Sequence, residues 1–350
     1  MAAEGPVGSI GRASGDLPHR SSWIDGLIRT IDRLPIPAWA FYLLLLAGVG
    51  FGINGILWIG GDYPPGQFQP AESGYAGYGV YMLALMHYLN GVAGAKIESF
   101  RPALGRSAPE YERLRYELTT LPARQAALAG LAGVTITAVL FAIDQLDAAA
   151  DTLHPAVLAG RFVVEGLTLG LLAVLIYHTM HQLALVSRIH ALASRIDLFD
   201  PAPLYAFSNL TARTGIGLVL LVAYGFLIDP VINVVAVVLT GLVLGVAAAA
   251  FVLPLRGMHD RIVVEKERLQ LQADSRFKAT LADLHRSVDE RDLSVADGLN
   301  KTLASLQLER EALARIPTWP WQAATFRGFV SALLVPLVLW LIIRGLERFV

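Results

Sequence analysis

The chain has no cysteine and few charged residues. The lack of cysteine excludes disulfides, thiolate metal sites and cysteine nucleophiles. Charged residues make up 16% of the 350 positions, whereas a soluble domain carries about a quarter. The net charge is −1, and this balance gives no indication of nucleic-acid binding. The composition instead favours apolar residues, which account for 55% of the chain and give a mean hydropathy of +0.53.

Motifs that mark catalytic or cofactor sites are missing as well. The sequence contains no His-Glu-x-x-His metal motif, no Gly-x-Ser-x-Gly nucleophile elbow, no P-loop and no dinucleotide-binding fingerprint. It also lacks the paired aspartates of intramembrane proteases. These absences make an enzyme the minority interpretation, and we expect no cofactor.

Seven apolar stretches alternate with loops along the chain. A helix that spans the hydrocarbon core of a bilayer needs about 20 mostly apolar residues. The stretches cover residues 37–60, 78–95, 122–143, 158–187, 215–227, 231–254 and 328–343. The sequence therefore predicts an all-α, polytopic transmembrane helical bundle with about seven spans. The last stretch is the least secure, because it is short and contains Pro336, and it reaches a workable length only if its helix begins near Trp321.

Arginine and lysine occur mainly in every second loop between these stretches. The segments 61–77 and 144–160 carry no arginine or lysine, whereas 96–124 carries six and 255–327 carries twelve. Loops rich in arginine and lysine stay in the cytoplasm. We therefore expect a plasma-membrane protein with its N-terminus inside and, after seven crossings, its C-terminus outside.

The same patterns divide the chain into five segments. They are a disordered tail (1–20), an interfacial amphipathic helix (21–36), the bundle with spans one to six (37–256), a cytoplasmic antiparallel helical hairpin (257–317), and a re-entry helix with the last span (318–350). The hairpin is indicated by two amphipathic runs that a short turn separates.

Short local signals predict where three helices begin. Ser22 with Asp25, and Ser107 with Glu110, have the spacing of capping boxes, in which each side chain bonds the other residue's backbone N–H. Ser294 is expected to cap the second helix of the hairpin.

Two further patterns mark one face of a helix. In the amphipathic helix, the apolar side chains that share a face are Trp23, Leu27, Ile31 and Leu34. In the third span, Gly130 and Gly133 lie among alanines, and this small-residue face is suited to close contact between helices.

A charged pair in the fourth span is the first candidate for a functional site. Glu165 lies about two turns into the span, roughly 12 Å from its outer end. Arg161 precedes it by one turn, where it can pair with the carboxylate, and a carboxylate at this depth is costly unless paired. The pair could act as a gate, a cation site or a proton-linked switch, or it could serve packing alone.

Histidine and asparagine side chains also interrupt the apolar stretches. His87 and Asn90 share a face of the second span, and His178 and His181 lie near the inner end of the fourth. The last two are weak metal candidates, because no carboxylate or cysteine completes a ligand set. Hydrogen bonding between helices is the alternative role for all four residues.

Other polar and aromatic residues lie toward the outer ends of the spans. Asn54 and Asn233 interrupt the first and sixth spans, where an amide usually bonds a neighbouring helix. The outer segment 61–77 is rich in proline and tyrosine, and Tyr75 and Tyr78 lie at or just beyond its end. This segment could line a ligand vestibule or form an aromatic belt at the lipid headgroups.

Four strings in the sequence resemble those of prokaryotic multi-pass membrane proteins, a resemblance that implies no activity. They are residues 100–104 (FRPAL), 116–124 (YELTTLPAR), 196–203 (IDLFDPAP) and 316–321 (IPTWPW). The topology separately resembles that of insect odorant- and gustatory-receptor channels, with seven spans, a cytoplasmic N-terminus and projecting helices before the last span. That resemblance implies an oligomeric cation channel, although the last-span signature of those receptors has no match here.

The sequence favours a non-enzymatic channel- or receptor-like protein that is embedded in the lipid bilayer and forms homo-oligomers. The alternative is a membrane sensor or scaffold whose cytoplasmic hairpin docks a protein partner. A lipid-acting intramembrane enzyme is a third, more distant interpretation. A continuous polar path would favour a channel, whereas an exposed apolar stripe on the hairpin would favour a scaffold.

Overall fold

The computed structural model describes residues 17–61, 63–147, 155–194, 196–228 and 234–346. Within these ranges the chain is all-α, as predicted, and no element of sheet is longer than one isolated bridge between Ser21 and Pro122. The helices are α1 (Trp23–Asp32), α2 (Ala38–Gly60), α3 (Pro70–Leu104), α4 (Ala108–Thr119), α5 (Ala123–Asp147), α6 (Pro155–Leu192), α7 (Ala206–Ile228), α8 (Val234–Asp289), α9 (Leu293–Arg315), α10 (Ala323–Leu333) and α11 (Val335–Leu346).

Six apolar helical segments in the described ranges are long enough to cross a membrane. They are Ala38–Gly60, Ala123–Ile143, Leu158–Leu192, Ala206–Ile228, Val243–Asp289 and Ala323–Ile343. Segments of this length and composition make the chain a multi-pass membrane protein. The predicted second span, residues 78–95, lies inside α3 and is not among the six, because its tyrosines, His87 and Asn90 lower its hydropathy.

Helix α3 has this lower hydropathy because it lies at the centre of the bundle. It contacts α2, α4, α6 and α7, and its side chains Met82, Met86, Leu89, Ala93 and Ile97 are almost completely buried. A helix that is surrounded by protein does not need the apolar outer surface that lipid contact requires. Low hydropathy is therefore no argument against membrane depth for this helix.

Helices α3 and α7 approach each other closely. The Tyr81 hydroxyl donates a hydrogen bond of 2.8 Å to the carbonyl of Gly217, and the Tyr224 hydroxyl donates one of 2.9 Å to the carbonyl of Gly74. A Cβ on Gly217 would lie 2.5 Å from Leu85, so only glycine leaves room for that side chain. Small residues at such crossings let helices pack tightly in lipid.

Helices α5 and α6 also meet at glycine, as the sequence predicts. A Cβ on Gly133 would lie 2.3 Å from the carbonyl oxygen of Leu169 and 2.7 Å from the Cα of Gly170. A Cβ on Gly130 would lie 3.5 Å from Val174, an ordinary van der Waals distance. The close backbone contact is therefore centred on Gly133.

We expect Gly133→Ala to destabilise the bundle and Gly130→Ala to leave it almost unchanged. A methyl group at position 133 would overlap backbone atoms, so α5 and α6 would have to separate, and overpacking of this kind costs about 1–3 kcal/mol. The midpoint of thermal unfolding in one detergent compares the two variants. Equal unfolding midpoints for the two variants would contradict the close backbone contact at Gly133.

Helix α1 begins at the predicted capping box. The Ser22 hydroxyl accepts a hydrogen bond from the backbone N–H of Asp25, and Oδ2 of Asp25 accepts from both the N–H and the hydroxyl of Ser22. The same oxygen accepts a bond of 3.0 Å from the N–H of Leu121, just before α5. Asp25 therefore caps α1 and fastens it to the bundle. Ser107 and Glu110 form the second predicted capping box, at the start of α4.

The apolar side chains of α1 differ in burial. Ile24, Ile28 and Ile31 are buried, whereas Trp23 of the predicted face is 53% exposed and Leu27 is 36% exposed. The predicted apolar face is thus divided, since its Ile31 is buried with Ile24 and Ile28, whereas its Trp23 and Leu27 are exposed. One side packs on protein and the other is free to enter the lipid interface.

Helix α8 extends well beyond the length of a span. Its 56 residues measure about 84 Å, and α9 packs along its second half. Lys266 of α8 donates a hydrogen bond of 2.7 Å to the carbonyl of Ile316. Arg310 of α9 pairs with Asp274 of α8 over 2.6 Å, and Leu313 of α9 is completely buried.

The start of α9 corrects the prediction that Ser294 is its cap. The N-cap is Asp292, whose Oδ1 accepts hydrogen bonds from the Ser294 hydroxyl and from the backbone N–H of Val295. These bonds lower the pKa of the Asp292 carboxyl, and the Ser294 hydroxyl contributes most. A carboxylate is a stronger acceptor than a hydroxyl, so the aspartate takes the capping position.

The last apolar stretch divides at Leu334 into α10 and α11. The division follows from Pro336, which has no N–H to donate to the carbonyl four residues earlier and whose ring crowds that carbonyl. The apolar segment reaches back to Ala323 and so contains 21 residues, which is enough to span.

Candidate functional site

A cavity of about 630 Å³ lies between α2, α3, α5, α6 and α7. It sits near the C-terminal ends of α2, α5 and α7, which the charge pattern assigns to the outer side, and we call it the outer cavity. Most of its wall is apolar, with side chains such as Ile53, Leu57, Met82, Leu140 and Leu172. The outer cavity can therefore surround an apolar body.

The outer cavity also contains the charged pair that the sequence singled out. Nη2 of Arg161 lies 3.6 Å from Oε1 of Glu165, and both residues line the cavity wall. The two side chains are 50% and 46% exposed, so neither is enclosed by the chain itself. The pair is therefore available to a molecule in the cavity.

Four further polar side chains line the outer cavity: Tyr75, Tyr78, Thr137 and Thr168. The sequence left the segment 61–77 between a ligand vestibule and an aromatic belt, and of its residues Tyr75 lines the cavity, with Tyr78 just beyond the segment. The two threonines were not identified from the sequence, because single threonines in apolar spans carry no distinctive pattern.

A second pocket, of about 750 Å³, lies at the opposite end of α3, between α1, α3 and α4. We call it the inner pocket. Its wall is polar and carries more acidic than basic side chains, among them Asp32, Glu98 and Glu112 beside Arg115. The Tyr111 hydroxyl donates a hydrogen bond to Glu98, and this bond is the main cause of a lowered pKa of that carboxyl.

His87 connects three helices at the inner pocket. Its Nδ1 lies 3.1 Å from the Tyr42 hydroxyl on α2, and its Nε2 lies 3.0 Å from Oδ1 of Asp32 on α1. One turn further along α3, Oδ1 of Asn90 accepts a hydrogen bond of 2.8 Å from Nε2 of His178 on α6. His87 and Asn90 thus occupy the role of bonding between helices that the sequence offered as an alternative.

Among the residues that the structure describes, no further side chain completes a metal site with His178 and His181. No group of three histidine, aspartate or glutamate side chains there has the geometry to hold a metal ion. His181 instead stacks on Tyr177, with ring centroids 5.7 Å apart.

Asn54 is buried and bonds through both ends of its amide. Its Nδ2 donates to the carbonyl of Gly50 over 2.8 Å and to the Ser73 hydroxyl over 2.6 Å, and its Oδ1 accepts from the N–H of Gln69 over 2.7 Å. These bonds fasten α2 to the start of α3, which is a packing role. Asn233 lies outside the described residues.

Sequence reasoning missed the partners of His87. Tyr42 carried a usable signal, since it is the only hydroxyl in the apolar stretch 37–60. A lone hydroxyl in such a stretch usually needs a partner on another helix.

The fold and the two cavities define a class of protein: a multi-pass helical membrane protein with an apolar cavity at one end of its central helix and a polar pocket at the other. Comparisons with protein-family models, curated proteins and solved structures give no match. The resemblance to insect receptor channels therefore stays a prediction from topology.

Proposed function

We propose that the protein is receptor-like, without enzymatic activity, and that it binds a small amphiphile in the outer cavity. The observation that carries this proposal is the cavity itself, with about 630 Å³ of space, an apolar wall and one ion pair. Ligand sites commonly combine this size with an apolar wall and a few placed polar groups.

The ion pair supports a ligand with one polar end. A carboxylate on the ligand would accept hydrogen bonds from Arg161, and an ammonium group would donate to Glu165. Such charge-assisted bonds are about twice as strong as neutral ones. The apolar part of the ligand would lie against side chains such as Ile53 and Leu172, and its burial contributes about 25 cal/mol per Å².

The central helix supports transmission of a signal. Tyr78 and Met82 line the outer cavity, and His87 and Asn90 line the inner pocket, all on α3. Met82 and His87 are five residues apart, or about 7.5 Å along the helix. A shift of α3 on ligand binding would therefore reach the bonds that hold α1 and α2 at the inner pocket.

The proposed roles of Arg161 and Glu165 in ligand binding are tested by competition between ligands in lipid nanodiscs. Fluorescent aminoanthracene reports occupancy of the cavity, and decanoic acid, decylamine and decanol compete with it. We expect Arg161→Met to weaken competition by the acid about tenfold, and Glu165→Gln to weaken competition by the amine about tenfold, because each loses a charge-assisted hydrogen bond. Competition by the alcohol should change little.

Arg327→Met is the matched control, since Arg327 is an exposed arginine of α10 outside the cavity wall. If neither pair variant changes the ranking of acid and amine, the pair serves packing alone. If none of the three amphiphiles competes in the parent protein, the outer cavity is not a ligand site.

We further propose that α3 is the seventh span and that the N-terminus lies in the cytoplasm of a plasma-membrane protein. The alternation of basic loops supports this orientation, and the central position of α3 supports the extra span. The inner pocket and the predicted hairpin, residues 257–317, would then be cytoplasmic, and the C-terminus would be outside.

A second candidate function is docking of a cytoplasmic protein or of a second copy of the chain. Val264 and Leu271 on α8, and Val295 and Leu308 on α9, are half or more exposed. Val264 and Leu271 are seven residues apart and so share a face, and an apolar face outside lipid favours a contact surface. Light scattering in mild detergent measures the mass of the purified protein. A mass equal to that of a single chain would exclude the homo-oligomer.

A further inference from the structure

A third pocket, of about 340 Å³, lies between the late part of α3, the start of α7 and the start of α10. We call it the α10 pocket. Its polar side chains include Lys96, Asp200, Asn209, Gln322 and Thr325. It is separate from the outer cavity and the inner pocket, with which it shares no lining residue.

The wall of the α10 pocket contains one basic side chain, Lys96. Lys96 is half-buried, and within the part of the chain that the structure describes it forms no ion pair and no hydrogen bond. By contrast, Lys301 pairs with Asp297 and Lys266 bonds two carbonyls. The ammonium group of Lys96 is therefore an uncompensated charge beside a cavity.

The N-terminus of α10 adds a partial positive charge to the same wall. Gln322 is the N-cap, its side chain makes no capping bond, and the first turn contains no acidic residue. The first amides of a helix carry a partial positive charge and bind phosphate readily. Gln322 and Thr325 both line the pocket, so these amides lie at its wall.

The wall of the α10 pocket also contains hydrogen-bond acceptors. Oδ1 of Asn209 is buried and has no hydrogen-bond partner among the described residues. The carboxylate of Asp200 forms no ion pair within the same ranges. The wall thus combines two acceptors without donors with an unpaired cation and a helix N-terminus, and this combination fits a molecule that carries both a phosphate and an ammonium group.

We propose that the α10 pocket binds the phosphoethanolamine headgroup of a membrane phospholipid. The phosphate lies against Lys96 and the first amides of α10, and the primary ammonium group donates to Asp200 and Asn209. Each charge of the headgroup then meets its complement, the phosphate at the half-buried Lys96 and the ammonium group at the exposed Asp200.

The position of the α10 pocket favours a lipid over a free molecule. Gln322 directly precedes the apolar segment Ala323–Ile343, and Trp319 and Trp321 stack beside it with ring centroids 4.5 Å apart. Tryptophan is enriched at headgroup depth. A headgroup in this pocket would therefore keep its acyl chains in the bilayer.

The test is native mass spectrometry of the protein in detergent with added dioleoyl phosphatidylethanolamine or dioleoyl phosphatidylcholine. We expect one retained phosphatidylethanolamine and about tenfold less phosphatidylcholine, whose quaternary ammonium has no N–H to donate. Lys96→Met should lower retention of phosphatidylethanolamine about tenfold, and Lys96→Arg should keep it. Asp200→Asn should remove the preference between the two lipids.

Lys278→Met is the control, because Lys278 is an exposed lysine of α8 away from the pocket. Equal retention by Lys96→Met and Lys278→Met would overturn the site. Equal retention of the two lipids by the parent would overturn the ammonium contact. Full displacement of the lipid by an equal concentration of soluble phosphoethanolamine would overturn the lipid as the source of the headgroup.

Discussion

Replacing Val164 with tryptophan is expected to abolish binding of aminoanthracene, whereas Val163→Trp should bind it as the parent does. Val164 lines the outer cavity, and an indole at this position would occupy the space that the ligand needs. Val163 is adjacent in sequence but is 56% exposed and does not line the cavity, so a tryptophan there would leave the cavity open. Successive helical residues point about 100° apart, so the two variants test two directions from one point of the helix.

Fluorescence titration in nanodiscs measures both valine variants. We expect binding at least about tenfold weaker for Val164→Trp, since overpacking and lost contact act together. Parent-like binding by Val164→Trp would place the probe elsewhere. Loss of binding in both variants would show that α6 tolerates no large residue in this region, and Leu172→Phe would then provide the second test from another position on the same wall.

Replacing Asp25 with alanine should release α1 from the bundle. Asp25 is only 4% exposed, and its Oδ2 accepts bonds from the N–H and hydroxyl of Ser22 and from the N–H of Leu121. Alanine would leave these donors without a partner, at about 1–3 kcal/mol for each donor that stays buried. We expect a total loss of about 3 kcal/mol in the free energy of unfolding.

Asp32→Ala is the matched control on the same helix. The Asp32 carboxylate is 56% exposed and, among the described residues, bonds His87 alone, so its removal should change stability by less than about 1 kcal/mol. Thermal unfolding, together with limited proteolysis of the segment before α2, measures both variants. A similar loss for Asp25→Ala and Asp32→Ala would contradict the role of Asp25 as the fastening of α1.

Local signals in the sequence predicted local structure well. The capping boxes at Ser22 and Ser107 depend on residues three apart, and Gly133 was identified from its neighbours alone. The sequence made no prediction of which side of α1 packs on protein, because the helix has apolar residues on two sides and periodicity cannot distinguish them. The low hydropathy of α3 was equally uninformative about depth, since hydropathy reports contact with lipid and α3 is enclosed by other helices.

The candidate site likewise contains contacts that the sequence could predict and contacts that it could not. The pairing of Arg161 with Glu165 could be predicted, because the two residues lie one turn apart on a single helix. The contacts of His87 with Tyr42 and Asp32 could not, since they join residues 45 and 55 positions apart. Such contacts depend on how three helices pack, and a single sequence carries no direct signal for that packing.

Cysteine labelling in intact cells tests the central claim most directly, that the outer cavity faces outside and the α8–α9 pair faces the cytoplasm. The chain has no cysteine of its own, and Gln67 in the α2–α3 loop and Ser305 on α9 are exposed. With a membrane-impermeant maleimide, we expect Gln67→Cys to be labelled in intact cells and Ser305→Cys only after permeabilisation. Labelling of Ser305→Cys but not of Gln67→Cys in intact cells would contradict the orientation and the receptor proposal that rests on it.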